Sequence, residues 1–260
     1  AAGAKSIVYS APNPAPSSTL QYEIDRSESD VSLADITRKA IEVVDNPNGF
    51  FIMVEGGKID WAAHDNDAAT VIHEVLAFAR AIDVALEFYR KHPHETLIVV
   101  TADHETGGLS IGNRENKYDF HVKLLHYQTA SEERLHKLIA EFKEQNPKAK
   151  FDDLLKFLAD KTGLSKDIEL NENDIKMLKD AYNVAFKGLK SNEKTTYSET
   201  DPISKVSIQI LNSKAAVGWT SGSHTGQPVP VFAIGSGQQL FVPLLDNTDI
   251  PKNIVRAAGI

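Results

Sequence analysis

Two short apolar runs that bracket one long amphipathic stretch constrain the fold of this chain more than any other feature. Phe50-Phe51-Ile52-Met53-Val54 opens after Gly49 and closes at Glu55-Gly56-Gly57, and Leu97-Ile98-Val99-Val100 closes at Thr101-Ala102-Asp103. Between them Ile72, Val75, Leu76, Ala79, Ile82, Leu86 and Tyr89 recur on one helical stripe across residues 67–89. Short continuous apolar runs bounded by turn residues read as strands buried on both faces, and strand, helix, strand reads as a right-handed crossover between parallel neighbours. The sequence therefore predicts an α/β fold, a mostly parallel central sheet flanked by helices. Glu55, Asp60, Asp103 and His104 should lie along one edge of it.

The flanking segments carry their own signals. Ser32-Leu33-Ala34-Asp35 has the spacing of a capping box, and Leu33, Ile36, Ala40, Ile41 and Val44 follow at helical intervals until Asn46-Pro47. Residues 10–30, with Pro12, Pro14 and Pro16, read as an irregular surface segment. Lysine-rich and glutamate-rich amphipathic stretches at 132–142, 151–160 and 173–186 predict a helical insertion over 114–200. Asp201-Pro202 then reads as an N-cap and first helical residue, although Val206, Ile208 and Ile210 also fit a strand. A last strand is expected over 229–234, where Pro230 argues for an edge or a strand start. Residues 1–113 and 201–260 thus form two segments of one α/β domain, interrupted by the insertion.

Composition narrows the function. Hydrophobic residues at 42% and charged residues at 25% of 260 suit a globular core. A net charge of −8 argues against nucleic acid or an anionic membrane surface as a partner. No apolar run is long enough to span a bilayer, and Ala1-Ala2-Gly3-Ala4-Lys5 lacks the charged-then-apolar order of a signal peptide. With no cysteine, any metal must be held by oxygen and imidazole.

In open α/β sheets the sites lie beyond the carboxyl ends of the strands. After the first run, Asp60 and His64 fall at i and i+4 of a helical turn and can share an ion; a solvated helix start is the plainer alternative. After the second, Asp103 and His104 are adjacent at a strand terminus, where an Asp–His hydrogen-bonded pair is the alternative. His224 stands in a loop of small residues, Ser221-Gly222-Ser223-His224-Thr225-Gly226. Together they offer Asp60, His64 and His224 for one ion and Asp103 with His104 for a second, all nitrogen and oxygen donors suited to zinc. His73, His92, His94, His121, His126 and His136 read as structural or solvated, and no phosphate-binding glycine loop, dinucleotide fingerprint or nucleophile elbow is present.

Val54-Glu55-Gly56-Gly57-Lys58-Ile59-Asp60 with His64, Thr101-Ala102-Asp103-His104-Glu105-Thr106-Gly107-Gly108 and His224-Thr225-Gly226 resemble the alkaline phosphatase family in order and spacing, over residues 31–112 and 201–260. The resemblance implies hydrolysis of phosphate monoesters with two zinc ions and a magnesium ion, in a protein that is periplasmic or secreted and forms a homodimer. It implies that Asp60, His64 and His224 are the protein ligands of the first zinc, Asp103 and His104 half of the second zinc's set, and Glu55 the magnesium carboxylate. Trp61 stands where the family varies and where a basic residue can assist phosphate or metal choice. The nucleophilic serine, its metal-bridging aspartate and the phosphate-gripping arginine of the family have no match here; Ser27 and Ser29 lie in an acidic loop-like stretch. The chain thus resembles the C-terminal part of such an enzyme, inactive by itself. The competing readings are a non-catalytic metal-binding fragment and a related phosphodiesterase or phosphomutase.

Overall fold

The computed structural model describes residues 19–113, 116, 118–188, 201–242 and 244–259. Part of the expected surface segment, residues 10–18, and residues 189–200 at the end of the expected insertion lie outside these. The first helix, α1 (Leu33–Val44), starts at the capping box: the Asp35 N–H donates to Ser32 Oγ at 3.1 Å and the Ser32 N–H donates to Asp35 Oδ2 at 3.0 Å. Then come α2 (Lys58–His64), α3 (Ala68–Lys91), β1 (Leu97–Val100), β2 (Glu105–Thr106) and β3 (Ser110–Ile111). The helices α4 (Glu132–Gln145), α5 (Phe151–Thr162), α6 (Glu172–Lys187) and α7 (Pro202–Lys214) follow, and the chain closes with β4 (Val217–Gly218), β5 (His224–Thr225), β6 (Phe232–Gly235) and α8 (Asp249–Ala258).

The described residues form three two-stranded antiparallel ladders, β1–β6, β2–β5 and β3–β4. This corrects the expected mostly parallel sheet. Residues 50–54 join no ladder, with Phe51 72% and Met53 81% exposed, and β1 pairs antiparallel with β6 from Leu97↔Gly235 to Val100↔Phe232. An apolar run reports only that its faces can be covered; a strand also needs a neighbour for its N–H and C=O groups, and the run does not name one. The stripe on α3 is corrected as well. Its buried positions are Ala68, Ala69, Thr70, Glu74, Ala77, Ala81 and Val84, whereas Ile72, Val75 and Leu76 are exposed. α1 and α2 pack against α3, and small residues let helix backbones approach closely.

The deepest core sits among the later helices. Ile139 of α4, Leu154 and Leu158 of α5, Leu178 of α6 and Ile203 and Leu211 of α7 are fully buried. α7 settles the ambiguity at 206–210 as helix: Pro202 occupies its first position, the Ile203 N–H donates to Asp201 Oδ1 at 2.7 Å, and Ile203, Ser204, Ser207, Ile208, Ile210 and Leu211 are buried around much of its circumference. Ala68 and Ala69 of α3 join the same cluster, so the helical layer and the segment bearing the candidate ligands share one core.

Two carboxylates, buried Asp67 and half-buried Asp25, seat the start of α4. Asp67, the N-cap of α3, accepts from Thr70 N–H (3.1 Å), Thr70 Oγ1 (2.7 Å), Gln128 Nε2 (2.8 Å) and the Glu132 N–H (2.8 Å). Asp25 accepts from the Ser131 N–H at 2.9 Å and Ser131 Oγ at 2.5 Å. The N–H groups of Ser131 and Glu132 at the start of α4 thereby find carboxyl oxygens as acceptors. No helix among the described residues is long and apolar enough to cross a membrane.

Candidate metal centre

α2 presents Asp60 and His64 one turn apart while Ala62 and Ala63 are buried. Two residues past the end of α2, Asn66 adopts φ 56, a left-handed conformation that asparagine tolerates. Its side-chain amide, oriented by its neighbours, donates to the carbonyls of Ala63 (3.0 Å) and Ser221 (2.9 Å), and its own carbonyl accepts from Asn212 Nδ2 on α7 (2.6 Å). The end of α2 is therefore tied to the loop that carries His224.

That loop is clamped from the other side by β2. The β2–β5 register sets Glu105 opposite Thr225 and Thr106 opposite His224. The Gly107 N–H donates to the Ser223 carbonyl (2.9 Å), and the Thr220 and Ser221 N–H groups donate to the Gly107 carbonyl (2.9 and 3.1 Å). Gly107 has φ +86, and a Cβ there would lie 2.6 Å from the Trp219 ring, so only glycine fits this crossing. Glu105 accepts from Thr225 Oγ1 with one oxygen and from the Gly108 N–H at 2.8 Å with the other.

These clamps bring three donors together. His64 Nε2 lies 3.2 Å from His224 Nε2 and 3.4 Å from Asp60 Oδ1, and His224 Nε2 lies 3.7 Å from Asp60 Oδ1. The edge between ligands of a tetrahedral ion with bonds of about 2.0–2.1 Å is about 3.3–3.4 Å, so this triangle has the size that zinc requires. His64 Nδ1–H donates to the Gly222 carbonyl at 2.8 Å, which directs the Nε2 lone pair inward. Among the described residues this is the one group of three or more histidine or acidic side chains able to hold a metal.

The other sequence candidates are placed differently. His104 stacks on His224, with ring centroids 3.6 Å apart and planes at 22°, and its Nε2 is 3.5 Å from Asp103 Oδ2. Asp103 is largely exposed and stands outside the triangle, as does Glu55, which is exposed where residues 50–54 end. Trp61 is 43% exposed, and Lys58 Nζ lies 5.0 Å from its ring centroid and 3.9 Å from that of Tyr22. His136, read as structural, accepts the Asp201 N–H at 2.8 Å.

Asn66, Glu105 and the hydroxyl of Thr106 are positioning contacts that the sequence reading had not singled out for that role. Thr106 did carry a signal, since residues 104 and 106 share a face in any strand. The surroundings are acidic. Burial, with Asp67 and Glu133 adding repulsion, pushes the Asp65 carboxyl up to about 6, and burial with Asp65 and Asp67 pushes Glu132 up to about 9.

The family model for alkaline phosphatase matches residues 16–260. Alkaline phosphatase 4 of Bacillus subtilis is 36% identical over 232 residues, which cover 88% of this chain and 44% of the relative. Alkaline phosphatase 3 of the same organism is 34% identical, covering 92% and 46%. The crystal structure of the cold-active alkaline phosphatase from the psychrophile Shewanella sp. superposes with a TM-score of 0.72 at 30% identity, covering 92% of this chain and 52% of that one. The Thermus thermophilus alkaline phosphatase shares the fold, with a TM-score of 0.70 at 24% identity over 92% of this chain and 50% of that one. The chain spans about half the length of the curated relatives it matches. With nearly its whole length inside the family model, the chain belongs to the alkaline phosphatase family.

Proposed function

We propose that this chain supplies the metal-holding part of an alkaline phosphatase active site, in a protein that hydrolyses phosphate monoesters with two zinc ions and a magnesium ion. The observation that carries the reading is the triangle of Asp60 Oδ1, His64 Nε2 and His224 Nε2, with edges of 3.2 to 3.7 Å. Asp60, His64 and His224 would hold the first zinc, Asp103 and His104 would contribute to the second, and Glu55 would hold magnesium. Bound zinc supplies Lewis-acid chemistry toward a phosphate oxygen and activates water. Three protein ligands leave one tetrahedral position for substrate or solvent. The Gly222 carbonyl orients His64, and the β2–β5 ladder with Glu105 and Gly107 holds His224 against α2.

By the family resemblance, none of these residues is assigned as the nucleophilic serine, the bridging aspartate or the phosphate-gripping arginine. Ser27 Oγ donates to Asp30 in an exposed turn, Thr106 Oγ1 donates to Asp60, and Ser110 Oγ lies 3.4 Å from two backbone carbonyls. The reading therefore places the nucleophile outside these residues and makes the isolated chain inactive. By family resemblance the full-length protein would be exported, periplasmic or secreted, and homodimeric.

Calorimetric zinc titration of the metal-stripped chain tests the first ligand set. His224→Ala should weaken zinc binding by more than about 100-fold, since loss of a ligand exceeds the roughly 10–100-fold cost of losing a residue that only orients one. Equal binding by the variant and the parent would overturn the assignment.

A further inference from the structure

We propose that Thr106 is a positioning residue shared by the two ligand sets: its one hydroxyl hydrogen is committed to Asp60, which obliges His104 to carry its proton on Nδ1 and to offer Nε2 as a lone pair. The proposal rests on the metal reading above for its consequence, and on hydrogen-bond geometry for its substance. Thr106 Oγ1 lies 2.5 Å from Asp60 Oδ1 and 3.3 Å from His104 Nδ1. A hydroxyl has a single hydrogen and two acceptor lone pairs, and an ionised carboxylate only accepts. The hydrogen on the short contact therefore belongs to Thr106, and the hydrogen between Thr106 and His104 comes from Nδ1.

Three features hold the relay in place. Thr106 lies opposite His224 in the β2–β5 register, so its Oγ1 is presented beside the first ligand set. The His104 ring is stacked on His224, which fixes its plane and leaves its edge nitrogens to choose partners. Asp103 Oδ2, 3.5 Å from Nε2, is the competing partner, but it is the more distant of the two and largely exposed to solvent, so the nearer Thr106 contact decides where the proton sits. One hydroxyl thus steadies a carboxylate of the first set and sets the tautomer of an imidazole in the second.

Thr106→Val keeps the β-branched shape and removes the hydroxyl; Thr106→Ser keeps the hydroxyl. The 260-residue chain, metal-free and with 15N-labelled histidine, is examined by long-range 15N–1H correlation at about pH 8.5, where imidazoles are neutral, with the His104 signals assigned by their loss in His104→Gln. The wild type and Thr106→Ser should show His104 protonated on Nδ1, and Thr106→Val should move that proton to Nε2. In competition with a chelator, zinc should bind Thr106→Val about tenfold more weakly than wild type, with Thr106→Ser restoring affinity to within about twofold.

An unchanged tautomer in Thr106→Val overturns the proposal. Should that variant fail to fold, the wild-type spectrum decides alone, because His104 protonated on Nε2 overturns the proposal equally. Failure of the metal reading is recognised separately, by equal zinc binding in wild type and His224→Ala, and leaves the metal-free spectrum as the judge of the relay.

Discussion

Glu132 carries the clearest dependence on pH. It is 3% exposed at the start of α4, and burial, with the charges of Asp65 and Asp67 against it and Lys205 in its favour, raises its carboxyl from 4.5 to about 9. Between those values the folded state binds a proton that the unfolded state has lost, so the contribution of Glu132 to stability is full below about pH 4.5 and is lost as pH rises toward 9. Glu132→Gln should remove that slope. Urea denaturation at acid and alkaline pH should show the variant gaining at least ~1 kcal/mol on wild type as pH rises across this window. A stability difference that stays constant with pH would show that Glu132 ionises normally. At this scale the sequence disclosed donors better than their supports: Asp60, His64 and His224 could be grouped as candidate ligands from their side-chain types and from the i, i+4 spacing of the first two. Asn66 and Glu105 were not legible as supports, because their roles depend on Ser221 and Thr225, residues brought near only by the fold.

Elements that carry their own start signals were legible, and those that need a distant partner were not. α1 begins at Ser32 and Asp35 and α7 at Asp201 and Pro202, signals written within four residues. β1 finds β6 across the whole helical layer, and nothing local in Leu97–Val100 tells an antiparallel neighbour from a parallel one. The run at 50–54 shows the consequence, since its hydrophobicity alone suggested a core strand. Met53→Ser should therefore change stability by less than about 0.5 kcal/mol, as exposed substitutions do, whereas Leu158→Ala in the middle of α5 should cost about 2–5 kcal/mol. Paired denaturant midpoints on the two variants measure this. A cost at Met53 comparable to that at Leu158 would mean that residues 50–54 are buried in solution.

At the scale of the whole molecule, the proposed function separates holding an ion from attacking a phosphorus atom. The α2 corner and the β2–β5 ladder converge on one donor triangle, and two hydroxyls of that ladder are already committed: Thr106 to Asp60 and Thr225 to Glu105. A hydroxyl whose hydrogen is held by a carboxylate can be activated by that carboxylate, so Thr106 is the internal candidate to be tested against an external nucleophile. Against it stands its position in the β2–β5 ladder, where it is only partly exposed and serves as the link between Asp60 and His104. The chain, with zinc and magnesium saturating, should accordingly hydrolyse an aryl phosphate at least ~10⁴-fold more slowly than a full-length family member at matched zinc occupancy, the order of loss that follows removal of a covalent nucleophile. Turnover within tenfold would mean that the nucleophile lies within these 260 residues. A phosphoryl group trapped on the chain and located at Thr106, or at Ser110 on strand β3, would then say which hydroxyl attacks.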